Sequence, residues 1–83
     1  MLSRSDTLSL IHASLHAQRP DYARRLAKNW TQSWPGDTGV LILLSRAYIA
    51  EDQFEQARVI LEQLVLVDPE SFQAHELLAS VHN

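Results

Sequence analysis

Eighty-three residues suit one small domain, near the size at which a single core is marginal without disulfides, metals or very regular packing. A hydrophobic content of 46% with two glycines and three prolines describes a folded helical chain, and the absence of cysteine excludes a disulfide framework and a thiol nucleophile. The net charge of −3 gives no basic footprint for nucleic acid, and the longest apolar run, Val40 to Leu44, is far short of the roughly 20 residues a membrane-spanning helix requires.

Ser3 is placed to cap a first helix, and Asp6 three residues on makes a box-like pair that also suits the positive end of the helix dipole. Leu8, Leu10, Ile11 and Leu15 then recur at helical spacing as far as His16. Gln18-Arg19-Pro20-Asp21 opens a second helix, because proline is tolerated in a first turn. Its apolar face is Tyr22, Ala23, Leu26, Ala27 and Trp30, and Trp34-Pro35-Gly36-Asp37 ends it and caps the next.

The third helix, Thr38 to about Glu51, is apolar nearly all round, which predicts burial between neighbours on both sides. Asp52 is expected to cap a fourth helix carrying Phe54, Ala57, Ile60, Leu61, Leu64 and Val65, which Asp68-Pro69 breaks. Ser71 caps a fifth, with Phe72, Ala74, Leu77, Leu78 and Val81 as its stripe. No segment alternates with period two, so no sheet is expected.

These elements repeat. Sliding the chain 34 residues along itself pairs Ser3 with Asp37 and Ser71, Leu10 with Leu44, Ala23 with Ala57, and Pro35 with Pro69. Such a period marks units that bury their apolar faces only by stacking on one another.

Residues 38–69 resemble a tetratricopeptide repeat through Leu41, Leu44, Ser45, Tyr48, Ala57, Leu61 and Pro69. The small Ser45 and Ala57 allow close helix approach, while Leu44 and Tyr48 fill the space between the pair. Residues 4–35 follow the pattern less faithfully: Leu10, Ala23, Ala27 and Pro35 are in register, but Thr7 and Ser14 stand where a bulky residue and tyrosine belong. The resemblance implies one all-α domain over 1–83, a right-handed superhelix of five helices. It comprises a degenerate repeat at 4–37, a well-matched repeat at 38–71, and a helix at 72–83. That last helix is either a cap, favoured by His75 and His82 at positions that would otherwise pack on a sixth helix, or the start of a truncated third repeat.

In that family the first helix of each pair lines a concave surface that holds a partner segment. Carried over by register, the surface comprises Ser5, Leu8, His12 and His16, then Ile42, Arg46 and Ile49, then Gln73, Glu76 and Ser80. His12, Arg46 and Ser80 form one rung. Ile42 and Ile49 are expected to be exposed there and to favour an apolar or amphipathic segment, with Arg46 holding an acidic group. Shielding of both isoleucines by flanking helices is the alternative. The lysine and asparagine pattern that clamps a terminal carboxylate in some members is missing.

Other constellations are weak. His12 and His16, one turn apart, supply only two possible metal ligands with no patterned third. Trp30 and Trp34 fit a junction between units better than a ligand platform. Arg24, Arg25 and Lys28 read as a solvated basic face. No GxSxG, phosphate loop or paired carboxylates with a base occur, so neither catalysis nor a cofactor is expected. The expected function is a non-catalytic scaffold for a protein or peptide, without nucleic acid or membrane insertion. The alternative is self-association, as a homodimer through an exposed stripe of Leu77, Leu78 and Val81. Residues 1–17 lack a continuous apolar leader segment, and with no spanning segment either, a cytoplasmic location is expected.

Overall fold

The computed structural model describes the backbone of residues 3–82 and the side chains of residues 3–81. The cap role suggested for His82 and the chain end at Asn83 lie outside the described side chains. Five helices and no strand occur among the described residues: α1 (Arg4–His16), α2 (Pro20–Ser33), α3 (Thr38–Ala50), α4 (Phe54–Val67) and α5 (Phe72–His82). Each packs on the next, and α3 also touches α1 and α5, so every other helix contacts α3. The fold is an all-α stack of helix pairs.

Local chemistry sets the helix starts. Ser3 Oγ accepts from Asp6 N at 3.1 Å, Asp37 Oδ1 from Val40 N at 3.4 Å, and Ser71 Oγ from Ala74 N at 3.3 Å, so three equally spaced residues cap α1, α3 and α5. Pro20 occupies the first turn of α2, where its missing N–H costs nothing. Asp52 departs from expectation. The residue preceding α4 is Gln53, without a side-chain cap bond, while Asp52 sits at φ 60° in the left-handed region.

Gln18, 34 residues earlier, has φ 58°, so one turn geometry serves both repeats. The backbone bonds repeat with it. Arg19 N donates to Ser14 O and Gln53 N to Tyr48 O, both at 2.8 Å; Asp37 N donates to Trp34 O and Ser71 N to Asp68 O, both at 3.1 Å. The less faithful side chains of the first repeat therefore do not alter its fold. Thr7 and Ser14 are buried where bulkier groups were the pattern, and Ser14 Oγ donates to Leu10 O at 2.7 Å, which satisfies its hydroxyl inside the helix pair.

The core runs through both pairs. Ile11, Ala23, Ala27, Val40, Ala47, Ala57, Leu61 and Ala74 are fully buried. Alanine at the closest approaches lets the helix axes come together, and Leu61 and Val40 fill what remains. Apolar almost all round, α3 is the buried centre, as its composition predicts.

Two expectations about exposed apolar surface are overturned. Ile42 is only 7% exposed and belongs to the core, while Ile49 and Leu8 are half-buried against it. Helix α3 has a neighbour on either flank, so a position one face away from Leu41 and Leu44 is still covered. Leu77, Leu78 and Val81 likewise turn inward with Ala74 and pack against the core. They are the face that attaches α5 to the stack, so they offer no exposed stripe.

Candidate protein-binding surface

A largely polar strip is open at equivalent positions of α1, α3 and α5. At 100° per residue, His12, Arg46 and Ser80 occupy the same angular position on their helices, and all three are exposed. Ser5, Gly39 and Gln73 repeat the relation one level nearer the helix starts, and His16 and Ala50 one level further on. The strip thus unites His12, His16, Arg46, Gln73 and Ser80 from the expected site. It excludes Ile42, whose remaining surface lies in a notch of about 180 Å³ shared with Gly39, Leu64 and Gln73. Glu76 stands round toward the outer side of α5, opposite the buried Ala74.

Charge on the strip is concentrated at one place. Among the described residues Arg4, Arg19, Arg24 and Arg58 each form an ion pair, and Arg46 forms none. His12 holds the equivalent place on α1 with His16 one turn further on, and among the described residues no group of three metal-binding side chains converges on them. An exposed guanidinium between a histidine and a serine suits a carboxylate or a backbone carbonyl better than an apolar side chain.

The sharpest electrostatic feature lies elsewhere, at Asp37, and has a scaffolding character. Arg4 Nε and Nη2 donate to its two carboxylate oxygens at 2.8 and 3.0 Å, and Trp30 Nε1 donates at 2.8 Å. With the cap bond to Val40, one side chain ties α1, α2 and α3 together. The hydrogen bonds from Arg4, chiefly, hold the carboxyl down to about 2 against the opposing push of burial. Gly39 makes room for this clasp: a β-carbon there would lie 2.8 Å from Arg4 Nη2.

Asp37 is legible in the sequence as a cap but Arg4 as its partner is not, since the pair is 33 residues apart and neither type is unusual at a helix start. In the second repeat the equivalents of Trp30 and Asp37 are Leu64, buried, and Ser71, so an apolar contact and a simple cap replace the clasp.

A second tie joins α2 to the end of α3. Arg24 Nε donates to Glu51 Oε1 at 2.6 Å with both side chains largely covered, so Arg24 does not belong to a freely solvated basic face. The two tryptophans separate: Trp30 is half-buried at the helix junction, whereas Trp34, 6.2 Å away between ring centroids, is 58% exposed. It edges an open notch of about 480 Å³ with Trp30, Pro35, Gly36, Arg4 and Asp37. Arg4 and Asp37 neutralise each other there, leaving that notch without directional charge.

A family model described as tetratricopeptide repeat matches residues 14–81, which is most of the chain. No curated protein and no solved structure matches it. No helix among the described residues is long and apolar enough to cross a membrane.

Proposed function

The chain belongs to the tetratricopeptide repeat family, and from that premise we propose that it captures a partner protein's segment along the strip of His12, Arg46 and Ser80, by binding alone. Repeats of this family generally mediate protein–protein interaction without catalysis. The observation that carries the finer reading is Arg46, exposed at the middle of the strip and without an ion pair among the described residues. Because Ile42 is buried and Ile49 half-buried, affinity along this strip rests on polar contacts, and the favoured segment carries a carboxylate for Arg46. Gln73 and Ser80 extend the strip with neutral hydrogen-bonding groups.

The test is a pull-down from source-cell extract with wild type, Arg46→Glu and Val59→Glu, each checked by melting curve. Val59 is exposed on the opposite side of the stack and serves as the control. A partner held by wild type and Val59→Glu but lost with folded Arg46→Glu supports the strip. A partner retained by folded Arg46→Glu moves binding away from it. Arg46→Ala should weaken capture less than charge reversal, since a partly exposed ion pair contributes only about 0–1 kcal/mol.

A further inference from the structure

The two ends of the stack leave open positions that its middle buries. In α3, with helices before and after it, Leu44, Ser45 and Ala47 are buried. Their equivalents in α1, Leu10 and Ala13, are exposed, because no helix precedes α1 among the described residues. With Tyr22, 47% exposed on α2, they form an apolar groove of about 290 Å³ rimmed by Arg19. At the other end Ala79, the equivalent of Ser45, is exposed, because no helix follows α5 among the described residues. Phe72, 75% exposed, together with Glu76 and Ala79, spaced four and three apart, makes one outer face of α5 opposite its buried stripe.

Charge distinguishes the ends. Residues 1–37 carry five basic and three acidic side chains, residues 38–83 two and seven, giving +2 and −5. Pairing like ends would set Arg19 against Arg19, or Glu76 against Glu76. Pairing unlike ends sets Arg19 against Glu76. The ion pair that Arg19 makes with Asp21, at 3.5 Å and well exposed, is too weak to remove it from this role.

We propose that copies of this chain associate head to tail, the outer face of α5 (Phe72, Glu76, Ala79) seating on the groove of the next copy (Leu10, Ala13, Tyr22). Exposed small residues meet at the centre, Ala79 over Ala13, and let the two helices approach closely. Phe72 supplies the large apolar contact, and the Arg19–Glu76 pair selects this arrangement over the two symmetric ones. Such a contact is heterologous, so it does not close on itself and the assembly lengthens with concentration.

Sedimentation velocity from micromolar to millimolar protein tests this, with Ala13→Arg and Ala79→Arg as blocked ends, each checked by circular dichroism. The expected result is a wild-type mass that climbs past that of a dimer, more steeply at low salt than at high salt. Each blocked variant alone should remain at the 9.4 kDa monomer, while an equimolar mixture of the two should reach twice that mass and stop. A wild type that stays monomeric, one that stops at a dimer, or a blocked variant that grows as wild type does would overturn the proposal. Should either alanine variant unfold, Arg19→Glu and Glu76→Arg replace them: each alone should weaken association at least tenfold, and the double variant should recover it. Failure of the double variant to recover would equally reject the head-to-tail pairing.

Discussion

Asp37 is the residue on which most of the polar architecture converges. Its carboxyl is held to about 2 from an ordinary 3.8, and its side chain is 12% exposed. A depressed carboxyl contributes fully above its unfolded value and loses that contribution as pH falls through the folded value. Stability should therefore drop by on the order of 2 kcal/mol between about pH 4 and pH 2. Acid titration of chemical unfolding should show this loss in wild type and a much shallower one in Asp37→Asn, which starts from lower stability at neutral pH. Gln18 is a second residue whose backbone decides its worth. At φ 58° its β-carbon is strained, so Gln18→Gly should raise the denaturation midpoint, worth about 1 kcal/mol. The same change at Asp52, φ 60°, should gain less, because aspartate tolerates that region better than glutamine.

Among the helices, α3 and α4 show how small and large residues divide their tasks. Fully buried Ala57 marks a close approach, so Ala57→Leu should overpack the pair and cost about 1–3 kcal/mol. Ile42→Glu on α3 should cost more, about 3 kcal/mol or above, because it places an unpaired carboxylate in the core. Val59→Glu on the outer side of α4 should stay within about 0.5 kcal/mol. Denaturation midpoints of the three variants read the order directly. An Ile42→Glu protein as stable as wild type would mean that α4 and α5 leave this side of α3 open.

Across the molecule, contacts run between neighbours, and α3 is the one helix that touches all the others. In a stack of this kind stability is nearly a sum of units and their interfaces, so the ends open first. Hydrogen exchange under native conditions should be slowest in the middle of α3 and fastest in α1 and α5. Equal protection along all five helices would show a single cooperative unit instead. The charge division, +2 before residue 38 and −5 after it, adds a directional property that neither repeat has alone.

The helices, their starts at Ser3, Asp37 and Ser71, the 34-residue period and the all-α class were legible in the sequence by itself. Each depends on groups within a few residues of one another, or on a spacing that survives the poorer match of the first repeat. The family resemblance rests on the same local pattern. The side-chain contacts that define a surface were not legible in this way. Whether Ile42 faces solvent depends on α4 and α5 lying alongside α3, and whether Leu77, Leu78 and Val81 are free depends on which side of α5 meets the stack. The Arg4–Asp37 clasp joins residues 33 apart through side-chain ends whose meeting no periodicity encodes. Helix periodicity says which residues share a face; only the packing of neighbouring helices decides which faces remain open, because exposure belongs to the assembled stack and not to any one helix.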